Sequence, residues 1–323
     1  MEKKPIVYAL IVTYNRISFL KKCLTSVLNQ TYPLKKIIVI DNKSTDGTGN
    51  YLKLITKKIK KIEVIFNTDN LGMANALNKA LKKIWKEEWN YVLITDDDNV
   101  ADKNALLNLI KKADQKTILN SLLIDYKNKN KLTFERVDLK NGKVYKDIND
   151  FKPKEIIFDS IPLNFTLISK NVFKKIGFFS EDYFIRGEEF DFIFKALING
   201  FNLKLISSSK VYCLNQRKIK VFKLFNIKIN RELIEDWKLY YVIRNNLFLI
   251  KRYQKLIPEQ KKEIFFRFFP YLRYNVFYFV PLYFLYNLFL LIFIQKTNLI
   301  TNLKYLLTAY YHFIISKKGK IRL

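Results

Sequence analysis

Asp96, Asp97 and Asp98 stand in succession where a mostly apolar run, residues 91–94, gives out. Three carboxylates at one strand end repel one another unless a cation lies among them, and no Lys or Arg adjoins them in the sequence. A hard divalent ion with oxygen ligands is the simplest neutraliser, and it leaves coordination positions for phosphate oxygens. The plainer reading is an acidic loop that caps the next helix, where Asp is also favoured. Two further polar clusters close apolar runs in the same manner. Thr13-Tyr14-Asn15-Arg16 follows residues 6–12, and Asp41-Asn42 follows residues 36–40. Any strand sheds polar residues at its loop, which explains one cluster well and three in register poorly. A nucleotide laid across three such strand ends would find acceptors for its base and ribose hydroxyls and a metal for its diphosphate.

The elements that would position these residues alternate along the chain. The apolar runs at 6–12, 36–40, 62–66 and 91–94 have the length and composition of buried strands. Between them, Phe19, Leu20, Cys23, Leu24, Val27 and Leu28 recur at helical spacing behind a candidate N-cap, Ser18, so Cys23 is read as core packing. A second helix is expected near Thr48, after the turn-forming Ser44-Thr45-Asp46-Gly47, and a third over residues 74–85. This order predicts a parallel α/β sheet that offers its ligands at the carboxyl ends of the strands. Further on, residues 117–124 suit a strand, and Asn141-Gly142 between two alternating arms predicts a hairpin over 133–145.

Composition bounds the partners. With 323 residues, 49% of them apolar, the chain has room for one large domain plus an appended element, and global disorder is excluded. Lys and Arg number 58 against 29 Asp and Glu, a net charge of +29. That excess predicts an anionic partner. No RNA- or DNA-reading signature accompanies it, so the expected partner is a phosphate-rich substrate or an anionic membrane surface, not nucleic acid. Two distant cysteines make neither a disulfide framework nor a thiolate cluster. The apolar run after the first residues is too short for a signal peptide, which predicts a chain that begins in the cytosol.

The sequence of motifs VTYNR, DNKSTDGT, NLGMANALN and TDDDN resembles a family 2 glycosyltransferase with the glycosyltransferase A fold, over roughly residues 5–215. The resemblance implies a Rossmann-like, mostly parallel sheet. It implies donor contacts from Thr13, Tyr14, Asn15, Arg16, Asp41, Asn70, Gly72, Asp96 and Asp97. Asp96 and Asp98 would hold Mn²⁺ or Mg²⁺ on the diphosphate of a UDP or dTDP sugar. No P-loop or GxGxxG is present, in keeping with a diphosphate held by metal and not by a glycine cradle. The stretch RGEEFDF completes the resemblance. Its acids Glu188, Glu189 and Asp191 fall in a helix first turn, where the helix dipole alone favours negative charge. An inverting transferase also needs a carboxylate to deprotonate its acceptor. By position Glu189 matches the family's base, which is more often Asp; Asp191 ranks second and Glu188 third. Many relatives place a histidine metal ligand where this chain has Cys213, and a thiolate suits Mg²⁺ and Mn²⁺ poorly. The only histidine, His312, is read as packing.

After residue 215 the composition shifts, which gives a catalytic domain over 1–215 and a basic, aromatic helical region over 216–323 for acceptor binding and membrane association. Residues 218–228 alternate Lys with apolar residues, read as a basic connector. Trp237, Tyr240-Tyr241 and Arg244-Asn245 resemble a signature of bacterial galactofuranosyl- and rhamnosyltransferase-like members. Residues 274–294 carry no charge and reach the roughly 20 residues of a membrane span, but tyrosines, asparagines and Pro281 dilute them. Their flanks are basic on both sides (Lys261, Lys262, Arg267 and Arg273; Lys296 and Lys304), which favours a helix lying in the interface over a single crossing. The expected activity is transfer of galactofuranose, rhamnose or a similar sugar to a glycan or lipid-linked acceptor, at the cytoplasmic face of the plasma membrane. A non-catalytic membrane- or polyanion-binding protein and a nucleotidyltransferase on a related sheet are the alternatives.

Overall fold

A computed structural model describes residues 4–137, 144–150, 156–157, 163–215, 219–224, 227–232, 234–253, 256, 276–293 and 298–321. The chain divides into two compact units. The first comprises Met1–Phe179 and Lys195–Gln216, and the second Ser180–Phe194 and Arg217–Leu323.

The first unit begins with the expected alternation. Strands β1 (Val7–Thr13), β2 (Lys36–Asp41), β3 (Ile62–Phe66) and β4 (Tyr91–Asp96) are separated by helices α1 (Ile17–Leu28), α2 (Thr48–Lys58) and α3 (Gly72–Ile84). They form a parallel sheet in the order β3-β2-β1-β4. β1 and β4 are covered on both faces, which is why their apolar runs are continuous. Each fully buried Leu, Ile or Val contributes about 1.5–3 kcal/mol over its exposed state. The stripe Leu20, Cys23, Leu24 and Val27 of α1 packs against this core. Parallel register puts Thr13 opposite Asp41 and Val12 opposite Asp96. The strand ends named from sequence therefore line one edge of the sheet.

The sheet continues through β10 (Thr166–Ser169), antiparallel to β4, and then β6 (Thr117–Asp125) and β11 (Asn202–Cys213), parallel to each other. β5 (Asn99–Ala101) pairs with β11 and leads into α4 (Ala105–Ile110), and the short β9 (Ile156–Ile157) also pairs with β11. β7 (Lys131–Val137) and β8 (Val144–Asp147) are the arms of the expected hairpin, and its Asn141-Gly142 turn lies outside the described residues. The fold is the expected α/β with a mostly parallel sheet. α5 (Lys170–Ile176) ends at Gly177, whose φ of 78° is left-handed.

Ser18 does not cap α1: the cap position is Arg16, with no capping side chain of its own. The Ile17 amide instead donates to Asp46 Oδ2 at 2.9 Å, and Asp46 Oδ1 accepts from the Thr48 amide at 3.1 Å. One carboxylate thus serves the N-termini of two helices.

In the second unit, helix α6 (Glu188–Ile198) begins and α7 (Asp236–Tyr253) follows. The described parts of the Lys/apolar segment are not a connector. β12 (Ile219–Leu224) and β13 (Ile227–Glu232) form an antiparallel hairpin, and each opens on an alternating Ile-Lys-Val or Ile-Lys-Ile run of strand-favouring residues; Lys218, Phe225 and Asn226 lie outside the described residues. Helix α8 (Val276–Phe293) occupies most of the uncharged stretch and contains Pro281, and α9 (Leu299–Ile314) follows it. Among the described residues no helix is long and apolar enough to cross a membrane. Tyr274, Asn275, Ile294 and the flanking Lys261, Lys262, Arg267, Arg273 and Lys296 lie outside them.

Candidate active site

The site is built on β1, β2 and β4 of the first unit. After Asp96 the chain turns, and Asp97 and Asp98 fold back into the protein, 3% and 9% exposed. Asp97 Oδ2 accepts from Thr13 Oγ1 at 2.7 Å, so the ends of β1 and β4 are tied by a side-chain bond. Contrary to the expectation from sequence, a cation does stand beside these acids. Arg16 Nη1 lies 3.3 Å from Asp97 Oδ1 and 3.0 Å from Asp98 Oδ2. The β1–α1 loop folds over the turn, which adjacency in sequence cannot reveal. Burial pushes the Asp97 carboxyl up to about 6, against the opposing pull of Arg16 and Thr13. Burial likewise raises Asp98, which Arg16 and Asn215 oppose. One guanidinium against three carboxylates leaves the strand end negative, and a further cation there is electrostatically favoured.

The other donor-contact candidates are placed as follows. Tyr14 is exposed at the end of β1. Asn15 is left-handed, with φ 51°, and its Oδ1 accepts from the Thr45 amide at 2.7 Å while its own amide donates to Ser44 Oγ at 2.9 Å. These bonds clip the β1–α1 loop to the β2–α2 loop. Asp41 is buried, and its Oδ1 accepts from the Ser44 amide at 3.0 Å. Asn70 Oδ1 accepts from the Gly72 amide at 3.0 Å, at the start of α3. Gly72 has φ 80°, a conformation that explains the glycine, and its carbonyl accepts from Asn42 Nδ2 at 3.3 Å. Asn42 Oδ1 in turn accepts from Asn67 Nδ2 at 2.7 Å, and Lys79 Nζ donates to Asn67 Oδ1 at 2.7 Å. Thr13, Tyr14, Asn15, Arg16, Asp41, Asn70, Asp96, Asp97 and Asp98 thus all lie at the ends of β1 to β4 or on the loops that follow them, and Gly72 opens α3. Asn67 and Lys79 carry no signal in the sequence alone, and Asp46 stands there only as a turn former.

A metal at this edge would rest on few protein ligands. Among the described residues no group of three or more His, Cys, Asp and Glu side chains is arranged to hold one. Asp96 and Asp98 offer hard oxygen donors, which fit Mn²⁺ or Mg²⁺. Cys213 does not join them. Its thiol donates to Asn99 Oδ1 at 3.1 Å, and burial pushes it up to about 12, so it is protonated at neutral pH. Cys23, buried in the core as expected, donates to the Asp96 carbonyl at 3.3 Å and steadies the end of β4.

The acids of α6 belong to the second unit, and each has a different environment. Glu188 is buried, its Oε2 meets no hydrogen-bond partner among the described residues, and burial together with neighbouring Glu189 pushes it up to about 8. Asp191 is 0% exposed; its Oδ1 accepts from Arg252 Nη1 at 2.5 Å and from Tyr253 Oη at 2.7 Å. Glu189 is half-buried, and of the three acids it alone reaches solvent to that extent. His312 is buried, as expected, with Nδ1 2.6 Å from Tyr240 Oη.

The family model described as Glycosyl transferase family 2 matches residues 8–177. A Haemophilus influenzae protein described as an uncharacterized glycosyltransferase is 38% identical over 61 residues, which is 19% of each chain. Among solved structures, GalNAc-T7 with UDP, GalNAc and Mn²⁺ is similar with a TM-score of 0.60 and 16% identity, over 84% of this chain and 52% of that one. The chain therefore spans about half the length of that relative. The mannosyltransferase PcManGT from Pyrobaculum calidifontis, in complex with GDP-Man and Mn²⁺, matches 98% of this chain and 89% of its own, with a TM-score of 0.57 and 15% identity. S. aureus TarS 1-349 with UDP-GlcNAc matches 97% and 81%, with a TM-score of 0.56 and 16% identity.

Proposed function

The chain belongs to glycosyl transferase family 2, and from that premise we propose that it is an inverting transferase that moves a sugar from a nucleoside diphosphate donor to an acceptor hydroxyl. The observation that carries this reading is the acidic end of β4, held in register with Thr13 and Asp41 at one sheet edge. UDP and dTDP sugars are the proposed donors, galactofuranose or rhamnose the proposed sugar class, and a glycan or lipid-linked hydroxyl the acceptor. The Trp237, Tyr240-Tyr241 and Arg244-Asn245 signature supports that choice of sugar.

The chain's residues divide the work. Tyr14, Asp41 and the loops clipped by Asn15 receive the nucleoside, and the Arg16 guanidinium is the proposed donor to a phosphate oxygen. Asp96 and Asp98 would hold Mn²⁺ or Mg²⁺, which when bound supplies charge neutralisation to the diphosphate. Glu189 takes the proton of the acceptor hydroxyl; the oxygen bonds to the anomeric carbon as the bond to the diphosphate breaks, and the configuration inverts.

Metal dependence is testable apart from turnover. Asp98→Ala is expected to abolish the Mn²⁺ enhancement of UDP or dTDP binding in calorimetry, with the fold retained. Equal, metal-independent affinity in both proteins, lost instead in Arg16→Ala, would assign the diphosphate to the guanidinium alone. A screen of nucleotide sugars for metal-dependent stabilisation and hydrolysis identifies the donor, and release of pyrophosphate instead of nucleoside diphosphate would point to nucleotidyl transfer.

The proposed location is the cytoplasmic face of the plasma membrane, by peripheral attachment. Support comes from the net charge of +29 and from apolar side chains left exposed on α8 and α9, among them Leu282, Leu285, Ile300, Leu307 and Ile314. Each Lys or Arg near an anionic surface contributes roughly 1 kcal/mol, so high salt is expected to strip the protein from phosphatidylserine vesicles. Extraction by detergent alone, never by salt, would overturn peripheral attachment.

A further inference from the structure

The turn that introduces the α6 acids is held in an uncommon backbone conformation. Arg186 has φ 63° and Gly187 φ 127°, two consecutive positive-φ residues directly before Glu188. A Cβ on Gly187 would lie 3.0 Å from the Tyr183 ring and 3.1 Å from Asn245 Cβ, so the turn also runs tight against α7. Left-handed conformations in non-glycine residues persist only where surrounding contacts hold them.

One side chain supplies two of those contacts. Asn245 Nδ2 donates to the carbonyls of Ile185 at 2.9 Å and Arg186 at 2.6 Å. Its Oδ1 is gripped by Arg244 through Nε at 3.0 Å and Nη2 at 2.8 Å, which fixes the orientation of the amide. Arg244 is itself fully buried and fixed: Nη1 donates to the Gly319 carbonyl at 2.9 Å and to Tyr240 Oη at 3.2 Å. Tyr240 Oη meets His312 Nδ1 at 2.6 Å, so α9 and the segment after it anchor the far end of the chain of bonds. Two turns further along α7, Arg252 and Tyr253 hold Asp191. The same helix therefore braces the α6 first turn before and after Glu189.

We infer that Arg244 and Asn245 are positioning residues for Glu189: they hold the 185–187 turn so that the acid pair enters α6 in one orientation. The inference rests on the reading of Glu189 as the base. It gives the Arg-Asn part of the sequence signature a task in transfer, although both side chains are buried. The amide supplies two donors on one planar group, matched to two successive carbonyls. An aspartate could not donate to either, and an alanine would remove both bonds.

A mutant cycle tests this, on the full chain with a UDP or dTDP sugar it accepts. Asn245→Ala is expected to lower single-turnover transfer about 10²-fold, the scale of an ångström-level misplacement of a reacting group. Donor affinity, measured on the same protein, should stay unchanged, and rates are normalised to donor-binding molecules. In a Glu189→Gln background the same substitution should cost nothing further, because a residue that acts only through Glu189 has nothing left to position. A second full loss in that background, or a wild-type rate for Asn245→Ala, would overturn the inference. If Glu189→Gln alone kept wild-type turnover, the base reading would fall first, and the inference with it. Should Asn245→Ala not fold, Asn245→Asp carries the same cycle, since it keeps the size but cannot donate to the carbonyls.

Discussion

Glu189→Gln is expected to slow sugar transfer by about 10²–10⁴-fold, the usual contribution of a general base, with donor affinity held at its wild-type value. Glutamine keeps the length and hydrogen-bonding capacity of the side chain and removes only the proton acceptor. The proposed donor contacts stand on β1, β2, α3 and β4 of the first unit, so they survive the change. Neighbouring Glu188 is a poor substitute, because it is buried, and burial, the largest cause of its raised value, persists when Glu189 loses its charge. Single-turnover transfer and donor calorimetry on one preparation check both halves of the statement. Wild-type turnover in Glu189→Gln, together with lost turnover per folded molecule in an Asp191 variant, would move the base to Asp191.

The second large effect is on stability. Asp191 is wholly buried, paired with Arg252 and bonded to Tyr253, while Arg252 Nη2 also reaches Asp182 at 2.9 Å. Breaking a buried ion pair from one side typically costs about 3–5 kcal/mol. The lower end applies here, because Arg252 retains Asp182 and is partly exposed. Asp191→Ala should therefore shift the denaturant midpoint by an amount comparable to a large fraction of ordinary domain stability. Turnover per folded molecule should change far less. Unaltered stability with abolished turnover would show that Asp191 serves the reaction instead of the fold.

How much of this was legible in the sequence depended on how local the signal was. β1 to β4 and the helices between them announce themselves through continuous apolar runs and 3.6-residue stripes, and the order of polar clusters at their ends marks the sheet edge. The acidic first turn of α6 was equally plain. What stayed hidden was every bond that closes a long loop. Arg16 reaches Asp97 and Asp98 across most of the first unit's N-terminal half, and Asn245 reaches carbonyls on a turn about sixty residues earlier. Composition misled at residues 219–224, where lysines between apolar residues looked like a connector but the segment pairs with 227–232 as one arm of a hairpin. Ser18 was the obvious cap for α1 by residue type, yet the helix takes its partner from Asp46, because a side chain from another loop satisfies the amide equally well.

The chain passes between its two units three times, and this interleaving constrains how the protein can be recombined. A cut where the composition changes, after residue 215, would leave Ser180–Phe194 on one fragment and α7 on the other. Asp191 would lose Arg252 and Tyr253, and the carbonyls of Ile185 and Arg186 would lose Asn245. The first unit is thus not a transplantable cassette. A functional chimera has to inherit Ser180–Phe194 and α7 from the same parent, so drift in either segment is tied to drift in the other.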